Sequence, residues 1–242
     1  MTLILVQIIV QSIGSTLQWL GFNAGIRALP GDKSRQLRWV VGSAVVFAAW
    51  LFGIVLLASQ NVFRTDVRSS VPIALFTTLA AGYLFLFSKN YRGIIAGIPQ
   101  HWLIGIQAFR ALGGLFLIRY LQGQLPGVFA IPAGLGDLLT GIMAPIVAYG
   151  WYAGKPWARR AAIAWNLFGM ADLINAVTIG ALTGGSGIVF PAVLIPVYGV
   201  PRSFLIHSYS LIALLRESAE PVKQAESIRY RLESDTLARE GA

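Results

Sequence analysis

Cysteine is absent from all 242 residues. That absence excludes disulfides, thiolate nucleophiles, cysteine-ligated metal sites and palmitoyl anchors together. Histidine occurs only at His101 and His207, which is sparse for redox or metal chemistry. No Asn-x-Ser/Thr triplet offers an N-glycosylation site. Charge is scarce too: Asp, Glu, Lys and Arg make up 12% of the chain, about half the fraction usual in soluble domains.

Apolar residues fill the gap, at 56% of the chain with a mean hydropathy of +0.67. They fall into seven blocks: 3–26, 39–59, 71–88, 101–121, 128–152, 161–183 and 188–215. Each is close to the roughly 20 residues that a helix needs to cross a ~30 Å hydrocarbon core. Membrane-spanning strands would instead alternate apolar and polar residues over about ten positions, and no segment does so. The expected fold is an all-α integral membrane protein with seven transmembrane helices. The first block lacks a basic leader and carries repeated glutamines, so it reads as a span rather than a cleaved signal peptide. Residues 1–216 would form the transmembrane domain and 217–242 a short charged tail with a weak helical stripe at Ala225, Ile228 and Leu232.

The net charge of +9 and pI near 10.3 suit nucleic acid in principle, but the positions point to topology. Fourteen of nineteen basic residues lie on one side of the seven spans: Arg27, Lys33, Arg35, Arg38, Lys89, Arg92, Lys155, Arg159, Arg160, Arg216, Lys223, Arg229, Arg231 and Arg239. The positive-inside rule then places the N-terminus outside and the C-terminus in the cytoplasm. The setting expected is a cell membrane, most simply a bacterial inner membrane. Membrane lipids are the expected partners, with homo- or hetero-oligomers also open, and nucleic acid is not among them.

Four ionisable residues sit deep in these spans: Arg110, Asp137, Asp172 and Arg202. At 1.5 Å per residue, Asp137 lies ~15 Å below the nearer end of its block, half the thickness of the core. The other three come to similar depth. Facing lipid, each would cost roughly 2.5–3.5 kcal/mol, so all four should turn inward. Arginine does not escape burial by losing its proton, and the two aspartates at matching depth are the natural acceptors. The simplest pairing joins Arg110 to Asp137 and Asp172 to Arg202, because consecutive spans with short loops tend to be neighbours.

Helical spacing adds polar neighbours to these charges. Gln107, Arg110 and Gly114 share a stripe, as do Gly169, Asp172 and Asn175, and Tyr198, Arg202 and Tyr209; Asn166 contributes a further amide. Along the first span, Gln7, Gln11, Gly14, Gln18, Gly21 and Gly25 form a seam of small and amide residues, suited to close helix packing or to a polar cavity wall. Prolines 132 and 145 in the fifth span, and 191, 196 and 201 in the seventh, should bend those helices. His207 lies five residues from Arg202, ~140° around a helix, so the two should face apart.

Other motifs fail on inspection. The stretch 183–189, "TGGSGIV", does not match Gly-x-Ser-x-Gly and reads as an outer loop. "GLGDLL" lacks the third glycine of a dinucleotide fingerprint. His101 and His207 differ too much in depth for a two-histidine haem, and span seven has no lysine for a retinal Schiff base. No cofactor and no metal is therefore expected. The functional expectation is small-molecule or proton-coupled transport or binding at the buried charges, with Arg110 or Arg202 holding an anionic or carbonyl group and Asp137 or Asp172 a proton. The alternatives are a structural or assembly subunit of a membrane complex, and a membrane-embedded redox or lipid-modifying enzyme.

Overall fold

A computed structural model describes residues 2–63, 67–183 and 190–216, the side chains of residues 2, 3 and 67–71 excepted. The tail 217–242, with its expected helical stripe, Arg64 and loop residues 184–189 lie outside the described residues. Among the described residues all regular structure is helical. In chain order come α1 (Thr2–Ala28), α2 (Lys33–Ser59), α3 (Val67–Leu84), α4 (Lys89–Ala96), α5 (Gln100–Gly105), α6 (Leu115–Leu121), α7 (Gly127–Tyr152) and α8 (Ala158–Leu182). Residues 200–216 form a last helix, α9.

Five helical stretches are long and apolar enough to cross a membrane: α1, α2, Gln100–Leu121, α7 and α8. The third expected span, 71–88, turns through 99° at Ser88, and it makes a sixth if the bent pair is one span. The bend has a local cause. Ser88 is extended, and its hydroxyl accepts from the Tyr91 amide, so it caps a new helix, α4, in the segment between the third and fourth expected spans. The seventh expected span is also not one regular helix. Turns occupy 190–193, and Ile195–Gly199, which contains Pro196, is wound as a π-helix ahead of α9. By contrast, α7 is a single helix through Pro132 and Pro145.

Small residues decide which helices meet. Along α7, Ala130, Ala133, Gly134, Thr140, Gly141, Ala144 and Ala148 are all buried, a stripe that lets neighbouring backbones come close. On one side, Gly105 meets Ala148, Gly141 meets the Ala111 backbone and Gly134 meets Leu117, so Gln100–Leu121 runs antiparallel to α7. On the other, Gly150 meets Trp157 and Gly136 meets Asp172, which sets α8 antiparallel as well. At the far edge, α1 and α4 cross where Gly25 lies on the backbone of Ile94 and Gly97 on that of Gly25. The outer faces carry exposed Leu37, Val41, Val45, Phe52 and Leu56 on α2 and Leu135, Leu139, Ile142 and Ile146 on α7.

Candidate functional site

The polar centre is built on a stretch of Gln100–Leu121 that is not α-helical. Ile106–Gly114 is a nine-residue 3-10 helix, in which residues three apart lie in line. Gln107, Arg110 and Gly113 therefore form one row. Gln107 Nε2 donates to the Ser203 carbonyl at 3.0 Å, and Gly113 lies against Asp137. Between them Arg110 reaches into the bundle, 3% exposed.

Arg110 holds both buried carboxylates. Its Nε donates to Asp137 at 2.6 Å and a terminal nitrogen to Asp172. The other terminal nitrogen donates to the Gly169 carbonyl at 3.2 Å and lies 3.0 Å from His207 Nε2. A guanidinium has donors and no acceptor, so His207 Nε2 accepts and its proton sits on Nδ1. That proton is donated to Asn166 Oδ1 at 3.0 Å. Asn166 Nδ2 donates in turn to the Ala162 carbonyl and to Ser210 Oγ, and Gln100 Nε2 also donates to Ser210 Oγ. Trp165 packs on the His207 ring, centroids 4.6 Å apart, and donates to the Thr140 carbonyl. A single hydrogen-bonded run thus leads from Gln100, at the start of α5, to Asp137 and Asp172.

Arg202 is elsewhere, and the expected Asp172–Arg202 pair is not present. Both aspartates are held by Arg110, while Arg202 turns toward α1. Arg202 is 2% exposed and donates to the Gln11 carbonyl at 3.2 Å. Its guanidinium carbon stands 4.8 Å from the Phe109 ring centre and 5.1 Å from that of Tyr198. The Tyr198 hydroxyl bonds to Ser15. The Nε and one terminal nitrogen of Arg202 are buried without an acceptor. The physical reason is the facing direction: five residues of helix separate Arg202 from His207, so when His207 faces Arg110, Arg202 faces away.

A cavity of 570 Å³ reaches this centre from one end of the bundle. Its walls include Gln7 and Gln11 of α1, Phe109, Arg110 and Asp137, with Arg119, Gln122 and Gln124 toward the loop before α7. The Asp137 side chain is 19% exposed against 6% for Asp172, so Asp137 is the carboxylate nearer the open space. Seam residues of α1 have two duties. Gln7 and Gln11 line the cavity, whereas Gly21 and Gly25 pack on Ile98, Trp102 and Ile94.

Of the residues singled out by sequence, Arg110, Asp137, Asp172 and Asn166 come together in one network. Gln107 braces α9 beside it, and Tyr198 belongs to the Arg202 cluster. Asn175 is exposed and does not join; three residues past Asp172 it has rotated ~60° out of the stripe. Tyr209 bonds to the Gly82 carbonyl and to Tyr91 rather than facing Arg202. His207, Ser210 and Gln100 were missed, although Ser203, His207 and Ser210 repeat at i, i+4, i+7 and mark a polar face. His101 lies against Tyr152, 5.4 Å between ring centres, away from His207. Among the described residues no three potential ligands converge on a metal site.

Four charged or polar groups of the two clusters rest on glycines. Arg202 lies on Gly14, Asp137 on Gly113, Asp172 on Gly136, and His207 on Gly169; a Cβ at any of the four would overlap the side chain opposite.

The fold and site together define a class: a chain whose described residues fold only into helices, several of them long and apolar enough to cross a membrane, with an arginine held between two carboxylates inside the bundle. The chain belongs to the family described as a domain of unknown function (DUF8737), whose model matches residues 67–215. The matched stretch contains Arg110, Asp137, Asn166, Asp172, Arg202 and His207 and leaves out α1 and α2. No curated protein and no solved structure matches the chain.

Proposed function

We propose that this is a multi-pass membrane protein that binds or carries a small molecule or a proton at the Arg110–Asp137–Asp172 centre. In this reading it has seven spans, with the N-terminus outside, the C-terminus in the cytoplasm and the cell membrane as its setting. The observation that carries it is charge imbalance beside a cavity: one guanidinium serves two buried carboxylates, and Asp137 borders the open space. With both acids ionised the centre holds one excess negative charge. Inside a bundle shielded from water such a charge is costly, so a proton or a cation is favoured there.

The geometry refines which groups would act. Arg110 is already bonded to Asp137, Asp172, the Gly169 carbonyl and His207, so an incoming anion finds little of it free. Arg202 does not line the cavity. Asp137 is therefore the contact residue, and the preferred ligand is a proton or a small cationic group such as an amine. The glutamines along the cavity would offer carbonyl acceptors on the way in, and Arg119 near its mouth is a like charge that such a ligand would have to pass. The run of amides from Gln100 to His207 holds Arg110 in position and does not carry protons readily, so exchange would go through the cavity.

The test is Asp137→Asn, which leaves a neutral Arg110–Asp172 pair and keeps the fold. Purified chain in proteoliposomes with an internal pH dye, and a thermal-shift screen of small amines in detergent, should both lose their response in this variant. If folded Asp137→Asn protein keeps proton flux and every ligand response of the native chain, the centre does not bind or carry. The structural-subunit reading is favoured by the near-complete bonding of Arg110 and predicts no proton flux and no ligand response in the native chain or the variant.

A further inference from the structure

A second cavity lies between α2, α3 and α4, shares no lining residue with the first and has no part in the site above. Its volume is 860 Å³, at the upper end of small-molecule pockets. The α2 wall is a single stripe: Arg35, Arg38, Trp39, Gly42, Val46 and Trp50 line it at helical spacing. From Arg38 to Trp50 is twelve residues, or ~18 Å, about one leaflet's share of a ~30 Å hydrocarbon core.

The middle of this cavity carries no charge, and its polar groups are few: of the hydroxyls that line it there, Ser43, Thr77 and Thr78, two are already engaged. Ser43 already accepts from Trp19 and donates to the Val40 carbonyl, and Thr77 donates back to its own helix. The positive charge is all at one end. Arg35 and Arg38 are exposed, and neither forms an ion pair, since among the described residues the ion pairs are those of Arg110. Arg35 has only a 3.4 Å contact to Asn90, and Arg38 a 3.2 Å bond to Ser34. The nearby acid, Asp32, caps α2 through the Arg35 amide. Trp39 and Tyr91 stand near the same end, the position in which amphipathic rings mark a membrane–water boundary. Gly42 faces the cavity with no atom near where its Cβ would be.

We infer that this groove binds an anionic phospholipid, with one acyl chain along the α2 stripe and the phosphate against Arg35 and Arg38. Chain length, apolar walls and two unpaired cations at one mouth fit an amphiphile of that kind. A zwitterionic lipid would gain less, because its ammonium sits beside its phosphate.

The full-length chain, purified in detergent and delipidated, is titrated with phosphatidylglycerol, with phosphatidylcholine and with inorganic phosphate, and binding is read by native mass spectrometry and thermal shift. Phosphatidylglycerol should bind and raise the melting temperature, phosphatidylcholine should do so weakly, and phosphate not at all. Arg35→Gln with Arg38→Gln should weaken phosphatidylglycerol roughly thirty-fold, at about one factor of five per surface cation. Gly42→Leu, whose Cβ meets no atom within 4 Å, should abolish retention of the lipid while leaving the elution profile unchanged. Equal phosphatidylglycerol binding by native chain and both variants would mean non-specific belt lipid and overturn the inference. So would stabilisation by phosphate alone, or recovery of a polypeptide seated in the groove in place of lipid.

Discussion

Two arginines are buried in this bundle to the same degree and are treated in opposite ways. Arg110 has two carboxylates, a carbonyl and a histidine around it. Arg202 has two aromatic faces and one carbonyl. The first arrangement exchanges hydration for charge-assisted hydrogen bonds. The second exchanges it for ring quadrupoles, worth from ~0.5 to ~2 kcal/mol each depending on desolvation. The interior of the bundle is balanced, with two arginines and two aspartates between the two clusters, but neither cluster is. An excess negative charge sits with Arg110 and an excess positive one with Arg202. Neutrality summed over buried residues therefore says little about any one site, and the local imbalance is what gives Asp137 its interest.

The contrast is open to experiment, most strongly at Arg110. Arg110→Gln strands two carboxylates, and removing one partner from a buried ion pair typically costs ~3–5 kcal/mol. The triple change with Asp137→Asn and Asp172→Asn should regain most of that loss, read as unfolding free energy in detergent. A triple variant less stable than Arg110→Gln would mean that the carboxylates are not held by Arg110. Smaller in effect is Gly141→Ala. Its new methyl meets the backbone of Ala111, so the 3-10 stretch carrying Arg110 must move, at about 1–3 kcal/mol. Loss of the native ligand or proton response should accompany it, whereas a purely local packing defect would lower the melting temperature alone. Least costly should be Arg202→Met, below ~1.5 kcal/mol, because losing the ring contacts and one hydrogen bond is offset by removing an unpaired buried charge. Arg202→Lys should be worse than Arg202→Met, since lysine keeps the charge and loses the flat stacking group. If Arg202→Met proves as damaging as Arg110→Gln, the two sites are alike after all.

Much of this was legible in the amino-acid order and some was not, for definite reasons. Apolar block lengths marked the long helices, and counting residues inward brought Arg110, Asp137 and Asp172 to one level, where one cluster now joins them. Depth and periodicity do not say which neighbour lies across a face. That is why Arg202 was assigned to Asp172 when it meets Phe109, Tyr198 and Gln11 instead. Assuming 3.6 residues per turn also grouped Gln107 and Arg110 with Gly114; the 3-10 winding brings Gly113 into line. The bend at Ser88 had a readable sign in a capping serine before "KNYR". The π-wound Ile195–Gly199 had proline as its only sign, and α7 shows that proline need not interrupt a helix.

The four glycines under Arg202, Asp137, Asp172 and His207 give the site an asymmetric tolerance. A charged side chain has near-isosteres: asparagine traces aspartate and methionine fills much of the space of arginine. Glycine has none, since every other residue is larger. At positions 14, 113, 136 and 169 change can run in one direction only, toward added volume where the space is already occupied. Chemistry at this centre can thus be retuned by exchanging the groups that carry it, whereas the bare backbone that makes room for them offers no comparable latitude.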